Sequence, residues 1–157
     1  MSRTVSGVGV AHPTKHAREI RRVAMCRYAE EFYHAAIKAR SLPVRAYLLG
    51  HAVELYLKTY LLNCGMKLTP LTKRPYGHDI ARLLDECIRH CMVKDFRISP
   101  ELKTDISRLS IVYASKGLEY FSLTFLFVPP NLPRLDRIQR FVAQLDRKML
   151  KNVQTGT

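Results

Sequence analysis

The residues best suited to chemistry lie in one short stretch: His51, Glu54 and Lys58. Steps of three and four put them in one line along a helix, with Glu54 one turn before Lys58, the favourable order for an ion pair. An imidazole, a carboxylate and an ammonium in such a line can transfer a proton and hold a phosphate. They can equally form a network that fixes one helix against its neighbours, because buried polar groups must be paired whether or not they act on a ligand. His78 and Asp79 can reach the same site, or simply cap a helix, with Asp79 at its positive end. If the stripe is catalytic, His51 or His78 supplies acid–base function and Arg45 the charge that stabilises the transition state. Cys87, His90 and Cys91 fall within two turns of one helix, which cannot complete a tetrahedral metal site by itself. No C-x-x-C occurs, so Cys26, Cys64, Cys87 and Cys91 read as reduced thiols, and neither metal nor cofactor is expected.

Net charge is the second source of candidates. The 157 residues carry a formal +13. Residues 14–40 hold seven basic and three acidic side chains, 64–78 three basic and none acidic, and 131–151 six basic and two acidic, whereas 79–130 are balanced. If the first and last helices lie side by side, their excess merges into one basic face, which attracts RNA or DNA by counterion release. Arg18, Arg21, Arg22, Arg134, Arg137, Arg140 and Arg147 are the candidates for that face, with Lys58 as a further phosphate contact. Arginine outnumbers lysine sixteen to ten, and its forked donors suit phosphate.

These residues have to be positioned by helices. Residues 1–13 have no helical period and read as a flexible tail, 14–151 as a single domain, and 152–157 as a second tail. Thr14 suits an N-cap, and an amphipathic pattern then runs to Ser41-Leu42-Pro43. Pro43 fits the first turn of a second helix, whose run from Val44 to Asn63 is apolar almost all round and therefore buried on most sides. Asn63-Cys64-Gly65 stops it. Residues 66–77 read as a basic loop, and His78 or Asp79 opens a third helix with Ile80, Leu83, Leu84, Cys87, Ile88 and Cys91 inward. Ser99-Pro100 starts a fourth, with Leu102, Ile106, Leu109 and Tyr113 inward. Residues 120–128 alternate in a two-residue rhythm that suits either an extended arm or a helical continuation. After Pro129-Pro130 a last helix begins at Leu132 or Pro133. The expected fold is an all-α antiparallel bundle of four to five helices. No apolar run approaches membrane-spanning length and no signal core is present, which places the expected location in the cytoplasm.

Three segments resemble the HEPN domains, small helical bundles named for nucleotide binding in higher eukaryotes and prokaryotes. They are Leu49-Gly50-His51-Ala52-Val53-Glu54-Leu55-Tyr56-Leu57-Lys58, then Gly77-His78-Asp79-Ile80-Ala81-Arg82-Leu83-Leu84, then Leu109-Ser110-Ile111-Val112-Tyr113 followed by Glu119-Tyr120. Their order and spacing agree with the family over about residues 15–120. The resemblance implies a four- or five-helix bundle, frequently a homodimer, in a family of toxin ribonucleases, their inactive relatives and partners of nucleotidyltransferases. The ribonucleases carry an arginine and, after four to six residues, a histidine in a late helix. Here Arg27 with His34, six residues between them, and Arg45 with His51, five between them, have that form, but both lie early, and the late position reads Tyr113-Ala114-Ser115-Lys116-Gly117-Leu118-Glu119-Tyr120 without histidine. The leading expectation is a HEPN-like RNA- or nucleotide-binding dimer in a prokaryotic defence or toxin–antitoxin setting. A metal-independent ribonuclease and a scaffold subunit for a nucleotidyltransferase or antitoxin partner are the alternatives.

Overall fold

The computed structural model describes residues 14–115, 118 and 132–155. The tail expected over 1–13 and the ambiguous stretch 120–128 lie outside them. The described residues are helical, with no strand among them: α1 Lys15–Lys38, α2 Leu42–Asn63, α3 Leu68–Thr72, α4 Ile80–Arg89, a 3-10 turn Met92–Lys94, α5 Pro100–Ala114 and α6 Leu135–Thr155.

Local chemistry sets most of the boundaries. Thr14 Oγ1 accepts the Ala17 N–H at 3.1 Å, Asp79 Oδ1 the Arg82 N–H at 3.1 Å and Ser99 Oγ the Leu102 N–H at 3.2 Å, each satisfying a donor that the first turn leaves without an intrahelical partner. Pro43 occupies the first turn of α2, which starts at Leu42, two residues before the expected Val44. At its other end Gly65 takes φ +89°, a conformation that favours a residue without Cβ. Two elements depart from the expected pattern. The loop 66–77 contains α3, whose Leu71 is fully buried, and Cys91 is exposed, because α4 ends at Arg89 and Cys91 turns into the left-handed region at φ 65°.

α2 is the central element, packed by α1, α4, α5 and α6, as its all-round apolar surface requires. The contacts also set direction. Arg22 near the start of α1 meets Asn63 at the end of α2, so these two run antiparallel. Asp79 with Ser110 and Asp85 with Lys103 make α4 and α5 antiparallel as well. Against α2, however, the contacts advance together: Glu54 meets His78, Leu57 meets Cys87 and Tyr60 meets His90. Arg45 likewise meets Gln139 and Tyr56 meets Asp146. α4 and α6 therefore run in the sense of α2, since the connection 64–79 carries the chain back before α4 begins. The bundle is not antiparallel throughout. As a result the basic first turns of α1 and α6 sit at opposite ends of α2, roughly 27 Å apart at 1.5 Å per residue.

Candidate functional site

Two polar regions differ in character. The first surrounds Glu54, which is almost fully buried on α2. Its Oε1 accepts from Lys58 Nζ at 2.5 Å, while Oε2 accepts from Tyr113 Oη at 2.6 Å and His78 Nδ1 at 3.0 Å. Tyr113 Oη also lies 2.8 Å from His51 Nδ1, and His51 Nε2 lies 2.9 Å from Tyr47 Oη. The carboxylate takes the single proton of Tyr113, so the phenol oxygen accepts from His51 Nδ1–H, while Nε2 of the same ring faces the Tyr47 hydroxyl. Phe32 of α1 stacks on the His51 ring with centroids 4.7 Å apart. The Tyr113 ring can come this close because residue 50 is glycine: a Cβ there would stand 2.7 Å from Tyr113 Cδ2.

Burial pushes the Glu54 carboxyl up, but the Lys58 ammonium and the hydrogen bonds from Lys58, Tyr113 and His78 outweigh it and hold the group below its ordinary value. Glu54 is therefore an ionised acceptor and is unsuited to giving up a proton as a general acid near neutrality. Of the network's charged and imidazole members, His78 opens furthest to solvent, with 59% of its side chain exposed. The Lys58 and Glu54 side chains are 6% and 5% exposed.

The second region is a groove of about 780 Å³ between the first turns of α1 and the segment from the end of α2 into α3. Lys15, Arg18, Arg21, Arg22 and Lys67 line it, against the single carboxylate of Glu19, over the apolar side chains of Leu62, Met66 and Leu68. Arg22 is fixed: its Nε donates to both Glu19 oxygens, at 3.2 and 3.0 Å, and its Nη1 to Asn63 Oδ1 at 3.0 Å. The hydrogen bond from Arg22 holds the Glu19 carboxyl below its ordinary value, with Lys15 adding to the effect. Among the described residues, no carboxylate lies within ion-pair distance of Arg18, Arg21 or Lys67.

The expected site residues thus separate into groups. His51, Glu54, Lys58 and His78 meet in one network. Asp79 does not join it; it caps α4, pairs with Arg82 and accepts from Ser110 Oγ at 3.0 Å, tying α4 to α5. Lys58 is enclosed and paired, so it is not a surface phosphate contact. Arg45 turns to Gln139 of α6, away from the network, and its Nε is buried without a hydrogen-bond partner among the described residues. Arg18, Arg21 and Arg22 share the groove, but Arg134, Arg137 and Arg140 do not extend it. Arg134 and Arg140 pair with Asp136, while Arg137 pairs with the buried Asp105 and donates to the Glu101 carbonyl at 3.4 Å. α1 and α6 pack against each other in opposite senses, so the first-turn arginines of the two helices lie at opposite ends of α2, whereas the exposed Arg147 near the end of α6 lies close to Tyr33 of α1.

Tyr113, Tyr47 and Phe32 were not among the candidates, since an aromatic at helical spacing signals core first. The one hint was Tyr113 in the third resembling segment. Among the described residues there is no group of three or more metal-ligating side chains, and no helix is long and apolar enough to cross a membrane. Comparisons with protein-family models, curated proteins and solved structures find no match.

Proposed function

We propose that the chain is a HEPN-like helical domain that binds RNA or a nucleotide without cleaving it, a homodimer acting in a prokaryotic defence or toxin–antitoxin setting. The observation that carries this reading is the meeting of Glu54, His78 and Tyr113 at one carboxylate. Each comes from a different one of the three segments that resemble the family. The three segments, matched in order along the sequence, converge in the fold on a single buried group.

Binding is favoured over cleavage by the state of the same network. Its carboxylate is ionised and has donors on both oxygens, His51 lies among Tyr47, Tyr113 and Phe32, and Arg45 is engaged elsewhere. A formal charge of +13 supplies the long-range attraction to a polyanion.

Fluorescence anisotropy with labelled single-stranded RNA tests the reading. Affinity should fall steeply between about 50 and about 200 mM salt, and the RNA should stay intact in chelator. Absence of binding at the lower salt overturns it. Cleavage that His51→Ala or His78→Ala abolishes replaces it with the ribonuclease reading.

A further inference from the structure

We propose that the groove between α1 and the α2–α3 turn is a binding site for a nucleoside 5′-polyphosphate, either a free nucleotide or the phosphorylated 5′ end of an RNA. This deepens, and rests on, the RNA- or nucleotide-binding reading above. The groove gathers its cations around one concavity. Elsewhere on the surface some cations have acids beside them, as Arg27 has Glu30, Arg82 has Asp79, Arg89 has Glu86, Lys103 has Asp85 and Lys148 has Asp95, and others, such as Lys38, Arg40, Lys73, Arg74 and Arg97, are exposed with no carboxylate in ion-pair distance among the described residues. In the groove five cationic side chains face one carboxylate, and Arg22 already engages that carboxylate. Arg18, Arg21 and Lys67 keep their charge without a protein counter-charge among the described residues.

Their arrangement points to clustered phosphates. Arg18 and Arg21 are one turn apart on α1 and share a face with Arg22. Lys67 stands on the opposite wall, so an anion between the walls meets forked donors on one side and a compact ammonium on the other. Arg22 is held by Glu19 and Asn63, which presets the wall and reduces the ordering that binding would otherwise require. Several adjacent positive charges match a polyphosphate better than one phosphodiester.

The groove is also more than a charged surface. Leu62, Met66 and Leu68 give it an apolar floor, which suits the face of a base, and Met66 can adapt its shape to different rings. Its volume of about 780 Å³ lies in the range of small-molecule sites. A duplex, which is read by elements entering its grooves, does not fit into a concavity of this size. One nucleotide with its phosphates does.

The test uses the full chain and four probes: ATP, inorganic triphosphate, and one short single-stranded RNA with either a 5′-triphosphate or a 5′-hydroxyl. Isothermal titration or anisotropy is run on the wild type and on Arg18→Gln/Arg21→Gln/Lys67→Gln. The variant Arg82→Gln/Arg89→Gln/Lys103→Gln removes the same charge elsewhere. All six positions are exposed, and thermal melting checks that both variants fold.

The proposal expects ATP or the 5′-triphosphate RNA to bind, with affinity reduced roughly 30-fold or more in the groove variant and the salt slope lowered by about two to three. The charge-matched variant should lose only a few-fold. ATP binding alone identifies a free nucleotide, and preference for the triphosphorylated RNA identifies an RNA end. Groove and charge-matched variants that bind alike overturn the site while leaving RNA binding standing. Equal affinity for the 5′-hydroxyl RNA overturns the polyphosphate assignment, and equal affinity for inorganic triphosphate overturns the base-binding floor. If no probe binds the wild type at low salt, the underlying reading falls as well.

Discussion

The surroundings of Glu54 and the groove beside α1 are both rich in charge, yet they are built on opposite terms. Around Glu54 each charge has its partner: the carboxylate receives Lys58, Tyr113 and His78, and almost nothing of the ion pair reaches solvent. In the groove, cations outnumber acids, and all but Arg22 stand open to water. A buried charge must be compensated within the fold, so a closed network is what stability alone would produce. Unpaired surface cations gathered around a concavity have no such structural necessity, which is why the ligand is assigned to the groove.

The largest effect should come from opening the closed region. Glu54→Ala leaves Lys58 buried without its counter-charge and also strips Tyr113 and His78 of their acceptor. A loss of about 3–5 kcal/mol in urea unfolding is expected for breaking a buried pair. Glu54→Met combined with Lys58→Met should recover much of it, because apolar residues of similar volume need no compensation. If Glu54→Ala is as stable as the wild type, the network is not the structural element described above.

Gly50→Ala should follow in size. The added Cβ would stand 2.7 Å from the Tyr113 ring, and that ring cannot move freely while its hydroxyl bonds Glu54 and His51. Overpacking of this kind destabilises by about 1–3 kcal/mol. Adding Tyr113→Phe releases the ring from its hydrogen bonds, so the double variant should lose less than the sum of the two single losses. Strict additivity would show that the hydroxyl does not pin the ring.

How far these regions can be read from the chain depends on the range of the forces that form them. Thr14, Asp79, Ser99 and Gly65 act within one turn, so the helix boundaries they set follow from local chemistry. The line of His51, Glu54 and Lys58 is equally local, being fixed by helical spacing. Tyr113 is not, because its ring signals core whether or not its hydroxyl has a polar task. Nor is the sense of α4 and α6 relative to α2, which the connection 64–79 and packing decide; α3 within it is too short to show a period. The seven arginines read alike as a list, but Arg137 reaches Asp105 on α5, a pairing between distant residues that spacing cannot show.

A pH series separates the regions through a smaller effect. The Glu54 carboxyl titrates below its ordinary value in the folded chain, so it stabilises the fold above the unfolded value near 4.5. That contribution is lost as pH falls through the lowered folded value. Urea unfolding from about pH 7 to about pH 3 should show the wild type losing stability in that acid window, and Glu54→Gln losing distinctly less. Glu19 is also lowered, but it lies in the open region where solvent screens it, so Glu19→Gln should leave the acid limb nearly as steep as in the wild type. Equal flattening by both variants would erase the distinction between closed and open charge.

The smallest effect is the one that tests the assignment of the ligand most directly. Arg134 and Arg140 at the start of α6 share Asp136, so they resemble the groove arginines in type and exposure but not in pairing. Asp136→Asn removes the shared carboxylate and leaves two cations uncompensated at the far end of α2. If lack of a counter-charge were sufficient to recruit RNA, the variant would gain a second site and a salt slope steeper by about two. The groove differs by having two walls, a fixed Arg22 and an apolar floor. The expected result is therefore a slope changed by less than about one, with the Arg18→Gln/Arg21→Gln/Lys67→Gln loss unchanged in the Asp136→Asn background. A full second site would show that net charge, and not the shape around it, selects the ligand.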